Sequence, residues 1–171
     1  MSKKISISAG TIFAIPLFMP KDDWKLKIKL SENDLNKEFV FGRVIETSSS
    51  VLVEIFNIIG SSKTKKEEII NSGIMFSPIQ IFWDGIVKKR WKIIYEDKHY
   101  NKIEHSNYYN LKMAFPSGPN NDTFRLEELS TRKETIISRK ELMIKQYECS
   151  AVWFPIDIEN RIIKKINWKN K

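Results

Sequence analysis

The chain has 171 residues and a mass of 20.2 kDa, a length that suits one domain. Hydrophobic residues make up 42% of it, which is enough to bury a core and excludes a wholly disordered or collagen-like polypeptide. The formal charge of +8 raises nucleic acid as a partner, although 26 Ile and 23 Lys against 6 Arg also indicate the codon bias of an AT-rich genome. The single cysteine, Cys149, excludes an intramolecular disulfide. No stretch has the ~18 apolar residues of a membrane helix, so we expect a cytoplasmic protein without a membrane partner.

β-branched and aromatic residues predict three strands in the first third of the chain. The first covers residues 11–17 and is interrupted by Pro16, and a polar connection at 21–37 follows it. Residues 38–47 and 51–59 predict a hairpin, because the serines between them supply turn chemistry.

The middle of the chain is predicted to hold a short helix and a second hairpin. Residues 65–71 favour a helix, which Gly73 would close. Residues 79–83 and 86–95 favour strands around Asp84-Gly85, a dipeptide suited to positive φ in a turn.

The last third begins with an irregular polar segment at residues 96–110. Between residues 127 and 147 apolar side chains recur at spacings of seven, three and four, which predicts the longest helix. Residues 151–158 then favour a last strand before a basic tail. We therefore predict an α+β fold that is β-rich, with an antiparallel, partly barrel-like sheet and one longer C-terminal helix. The absence of alternating βαβ units argues against a Rossmann-type sheet.

The sequence lacks the common motifs of enzymes. Its six glycines are never closer than twelve residues apart, so no local glycine-rich phosphate loop can form, and one cysteine cannot build a Cys-x-x-Cys zinc ribbon. One cluster has metal-ligand chemistry, although its histidines are six apart and fit no common helical ligand pair: Glu96, Asp97, His99, Glu104 and His105. We favour a solvated polar loop there, and we expect no catalytic residue, no metal and no cofactor. A hydrolytic site at this cluster is the weakest alternative.

The strongest binding-type feature is a segment that interleaves cations with aromatic rings. Cations can neutralise phosphates while aromatic faces stack on bases, so such a segment is typical of a single-strand nucleic-acid surface. The ordinary interpretation, which we favour, is a strand with Trp91 in the core and its lysines in water. The segment comprises Trp83, Lys88, Lys89, Arg90, Trp91, Lys92 and Tyr95.

Three stretches, taken together and in order, resemble the immunity protein 26 family of bacterial polymorphic toxin systems. They are GTIFAIPL at residues 10–17, FGRVI at 41–45, and WDGI at 83–86 followed by RWKII at 90–94. The resemblance covers residues 9–95, which we therefore treat as an immunity-like β-rich core. Residues 96–171 form a divergent, helix-containing extension within a single domain of residues 1–171.

The resemblance implies a non-enzymatic antitoxin that binds a cognate toxin domain and neutralises it by stoichiometric occlusion. Since inhibitors of basic nucleases tend to be acidic, a +8 inhibitor needs an acidic toxin or a locally acidic face. A nucleic-acid-binding module that uses the basic, aromatic segment is the alternative. The candidate partner-binding residues are Arg43, Trp83, Asp84, Lys88, Arg90 and Trp91.

Overall fold

The computed structural model describes residues 7–19, 30–48, 50–118 and 120–169. Most of the predicted connection at 21–37 lies outside these residues, and its described part contains a 3-10 turn at Asn33–Asn36. A second 3-10 turn lies at Tyr108–Asn110. The strands are β1 Thr11–Pro16, β2 Phe39–Thr47, β3 Val51–Gly60, β4 Ile74–Ile81, β5 Lys92–Glu96, β6 Lys112–Pro116, β7 Thr123–Glu128, β8 Glu134–Ser138, β9 Glu148–Cys149 and β10 Val152–Trp153. The helices are α1 Lys66–Asn71, α2 Asp84–Val87, α3 Lys102–His105, α4 Arg139–Lys145 and α5 Pro155–Lys169.

The larger sheet has six strands in the order β10-β4-β3-β2-β1-β5, and only the β10–β4 pair is parallel. The predicted strand at 11–17, the hairpin of β2 with β3 and the helix α1 are all confirmed. Gly42 on β2 is needed here, since an added Cβ would stand 2.5 Å from the ring of Phe13 on β1. The β-branched and aromatic residues of β1, β2 and β3 thus form the centre of this sheet, as the sequence predicts.

Both faces of the larger sheet are covered by apolar side chains. On one face, Ile158 and Ile162 of α5 join the core with Phe13 and Trp91. On the other, Ile69 of α1 joins a second cluster of buried side chains. Because α5 fills one face, residues beyond the immunity-like core contribute directly to its packing.

The smaller sheet has four strands in the order β8-β7-β6-β9, and the β6–β9 pair is parallel. It meets the larger sheet through a shared cluster in which Ile45 and Leu52 contact Met113 and Leu129. The β-rich α+β class with a longer C-terminal helix is confirmed. The described strands form two open sheets, each with one parallel pair, rather than a closed barrel.

The helix predicted at 127–147 is wrong, because the segment holds the end of β7, all of β8 and the short α4. Ile137 is buried while its neighbour Ile136 is 63% exposed, which is the two-residue alternation of a strand. Within α4 only Leu142 is buried. The apolar residues of β8 and α4 together happen to have a helical spacing. Hydrogen bonding to β7 makes residues 134–138 a strand instead.

The strand predicted at 151–158 is also wrong beyond Trp153, because α5 begins at Pro155. Proline is favoured in the first turn of a helix, where its missing N–H has no partner to lose. Ile158 and Ile162 are four residues apart and both buried, as an amphipathic helix requires. The longer C-terminal helix is therefore α5, which covers the second half of the predicted last strand and most of the basic tail.

The turn predicted at Asp84-Gly85 is replaced by the short helix α2, and β5 begins only at Lys92. The backbone of Gly85 packs against the indole of Trp91, where an added Cβ would stand 2.7 Å from the ring. The glycine therefore provides a close approach between α2 and Trp91 rather than a hairpin turn.

Candidate functional site

Trp91 is 1% exposed and belongs to the core. Its ring stacks on Phe13 with 5.4 Å between centroids and 5° between planes. Gly85 covers the ring from α2. This packing fixes α2 against the larger sheet and confirms that Trp91 is a core residue.

Arg90 is 2% exposed and is held by Glu159 of α5. Its Nε donates to Glu159 Oε1 at 2.7 Å, and a terminal nitrogen donates to Oε2 at 2.6 Å. The indole Nε1 of Trp91 donates to the same Oε1 at 2.8 Å. We call these three residues the Glu159 clamp, since one buried carboxylate joins two adjacent side chains of the core to the C-terminal helix.

Arg43 is 1% exposed on β2 and is paired with Glu54 on β3. The Arg43 guanidinium donates to the Glu54 carboxylate at 2.6 Å and to the His105 carbonyl at 2.6 Å. It also lies 4.8 Å from the centre of the Tyr100 ring. Burial raises the pKa of Tyr100 to about 12. Arg43 therefore fastens the segment around α3 to the sheet, and its buried side chain offers no surface to a partner.

The other three predicted residues lie at the surface or next to it. Trp83 is partly buried and packs against the core cluster. Asp84 and Lys88 form an ion pair of 2.5 Å one turn apart on α2, with side chains 40% and 45% exposed. The structure thus separates the six predicted residues into three buried ones and three that border solvent.

An exposed pair of stacked phenylalanines lies next to this second group. The Phe82 and Phe154 rings are 4.6 Å apart at an interplanar angle of 24°, and they are 39% and 48% exposed. The strands β4 and β10 bring them together, because the Phe82 N–H donates to the carbonyl of Trp153 at 3.1 Å. We define the aromatic patch by its six residues: Phe82, Trp83, Asp84, Val87, Lys88 and Phe154.

The family model for immunity protein 26 matches residues 8–117 of the chain. The chain belongs to the immunity protein 26 family. The match confirms the resemblance and extends it past residue 95. No curated protein and no solved structure matches the chain.

The aromatic patch crosses the limit of the immunity protein 26 match. Phe82 and α2 lie inside residues 8–117, whereas Phe154 and Glu159 lie beyond them. In this member of the family the C-terminal segment therefore completes both the core and the patch.

Sequence reasoning missed Phe82 and Phe154. Two signals could have found them. Buried Ile79 and Ile81 alternate with Gln80 and so direct Phe82 toward solvent. Phe154 immediately precedes Pro155, the first residue of α5. It lies outside the helix and so is not part of the buried helical face.

Two residues of the cluster with metal-ligand chemistry have other partners. The Asp97 carboxylate accepts from Lys66 at 2.9 Å, and His105 Nδ1 accepts from the backbone N–H of Asn101 at 2.9 Å. Among the described residues no group of three or more His, Cys, Asp and Glu side chains is arranged to hold a metal ion.

Burial, with the nearby Glu148 charge, raises the pKa of Cys149, which keeps the thiol protonated at neutral pH.

The basic, aromatic segment does not present one continuous stacking surface. Trp91 and Arg90 are buried, and Lys88 is paired with Asp84. Within the described ranges, no helix has both the length and the apolar character needed to cross a bilayer.

Proposed function

We propose that this protein is an antitoxin that binds a cognate bacterial toxin domain and neutralises it by stoichiometric occlusion. The observation that carries the proposal is membership of the immunity protein 26 family over residues 8–117. The protein acts in the cytoplasm, as a single non-enzymatic domain that needs no cofactor.

The aromatic patch supplies the contact surface for the toxin. A few aromatic anchors at the centre of an interface provide most of its binding energy, and polar pairs at its edge exclude water and fix orientation. The stacked Phe82 and Phe154 have this composition, and Val87 at the end of α2 is 48% exposed. The Asp84–Lys88 pair supplies the polar edge.

Two of the buried residues of the predicted set, Arg90 and Trp91, lie close to this surface. Trp91 packs against Gly85 of α2, and both residues are bonded to Glu159 of α5. Phe82 precedes α2 and Phe154 precedes α5. Because binding costs less when anchors are already ordered, a clamp that joins the segment after α2 to α5 favours affinity.

The function is tested by capture followed by a growth assay. The tagged protein is used to capture partners from lysate of its own host, with and without nuclease treatment, and the C-terminal domain of the captured polypeptide is expressed alone. We expect that domain to stop growth and co-expression of the antitoxin to restore it. A captured domain that is harmless, or whose toxicity the antitoxin leaves unchanged, contradicts the proposal, as does recovery of nucleic acid alone.

The interface is tested by the variants Phe82→Ala and Phe154→Ala, measured for affinity by calorimetry. Each should weaken toxin binding by about 2 kcal/mol, roughly 30-fold. Ile136→Ala on β8 is the matched control, because it removes an exposed apolar side chain outside the patch. Phenylalanine variants that bind as tightly as the Ile136 variant would place the interface elsewhere.

A further inference from the structure

A cleft of about 210 Å³ lies where the two sheets meet. Its apolar wall comes from β3, β4 and the loop after β7, and its mouth comes from the turn between α4 and β9. The lining residues that matter to its chemistry are Leu52, Pro78, Leu129, Lys145, Gln146 and Tyr147.

The size of the cleft restricts its occupant. Sites for drug-sized molecules and cofactors occupy about 300–1,000 Å³. At about 210 Å³ this cleft is smaller, and it suits a single side chain projecting from a bound protein.

The charges around the cleft are balanced except for one. Lys112 donates to Glu128 at 2.9 Å, and Glu148 is held by Arg161, which donates to its second oxygen at 3.1 Å. Within the part of the chain that the structure describes, no carboxylate forms an ion pair with Lys145. The exposed Lys145 therefore brings to the lining of the cleft a charge that has no carboxylate partner among the described residues.

The backbone at the mouth is held in a sparsely populated conformation. Gln146 has φ 53° and ψ 38° at the end of α4, a left-handed conformation that glycine or asparagine adopts more readily. The turn is made of Lys145, Gln146 and Tyr147, and all three residues line the cleft.

We propose that this cleft receives an aspartate or glutamate side chain of the partner, with Lys145 as its counter-ion. The inference rests on the proposed function, since it takes the toxin domain as the source of that side chain. Leu52, Pro78 and Leu129 accommodate the methylene groups of that side chain, and its carboxylate pairs with the exposed Lys145. This site meets the requirement that a +8 inhibitor needs an acidic partner surface.

The site can be tested without the toxin. The probe is N-acetylglutamate methylamide, titrated into ¹⁵N-labelled protein while amide shifts are followed by NMR. We expect concentration-dependent shifts at Leu111, Gln146 and Tyr147, and affinity up to about fivefold weaker in Lys145→Met, the range for an ion pair with an exposed lysine. Lys140→Met on the exposed side of α4 is the matched control and should bind as the unsubstituted protein does.

Three results would overturn the site. They are equal shifts with the neutral glutamine analogue, unchanged affinity in Lys145→Met, and no shifts up to the solubility limit of the probe. A toxin domain that binds Lys145→Met as tightly as Lys140→Met would also refute the site while leaving the proposed function intact. If no toxin is found, the proposed function fails, but binding of the probe still decides whether the site exists.

Discussion

Replacing Glu159 by glutamine should destabilise the protein strongly, because the change removes the carboxylate that pairs with the buried Arg90 guanidinium in the Glu159 clamp. Breaking a buried ion pair by removing one partner costs about 3–5 kcal/mol. For a chain of 171 residues, each kcal/mol lowers the midpoint of thermal unfolding by about 2–4 °C. The Glu159→Gln variant should therefore melt roughly 6–20 °C below the unsubstituted protein.

The control is Asp84→Asn, which breaks an ion pair of similar length whose side chains are 40–45% exposed. Exposed pairs contribute about 0–1 kcal/mol, so this variant should melt within about 4 °C of the unsubstituted protein. Both melting curves are measured by circular dichroism. Equal midpoints for the Glu159 and Asp84 variants would refute the reasoning.

A double variant isolates the charge. Arg90→Met with Glu159→Leu replaces both ions by apolar side chains of similar size, an exchange that is often neutral or stabilising in protein cores. We expect it to recover most of the stability lost in Glu159→Gln. A double variant no more stable than the single one would assign the loss to packing or to the Trp91 hydrogen bond.

Two further predictions concern the core and pH. Gly85→Ala should lower the free energy of unfolding in urea by about 1–3 kcal/mol, because the added Cβ would stand 2.7 Å from the Trp91 ring. A loss smaller than about 1 kcal/mol would show that the ring can move aside. The hydrogen bond from Lys66, together with the His99 backbone N–H, holds the pKa of Asp97 below its ordinary value of 3.8. The resulting stability is therefore present above about pH 4 and lost as the carboxylate becomes protonated below it. Asp97→Asn should reduce the loss of stability between pH 7 and pH 3, and an unchanged pH dependence would contradict the assignment.

The central sheet was predictable because its residues carry a local signal. β1, β2 and β3 are runs of β-branched and aromatic residues, and three serines mark the turn between the last two. The errors arose where two short elements share one apolar pattern. Residues 127–147 satisfy a helical spacing, but β8 is stabilised by its partner β7, and that contact is not encoded in a local window.

The candidate site was predictable only in part. The motif at residues 83–91 contains Trp83, Asp84 and Lys88, which are three of the six residues that define the aromatic patch. The burial of Arg43 and Arg90 depends on the carboxylates of Glu54 and Glu159, which lie 11 and 69 residues away in the chain. The position of Phe154 beside Phe82 also depends on a distant contact, the parallel pairing of β10 with β4.

The stoichiometry of inhibition tests the central claim most directly. A fixed amount of the captured toxin domain is titrated with the antitoxin while its toxic activity is measured. Occlusion predicts that activity falls linearly and reaches zero at one antitoxin per toxin domain. Complete loss at a small fraction of that ratio would show that the protein acts catalytically, and full activity at a large excess would show that it does not neutralise this toxin.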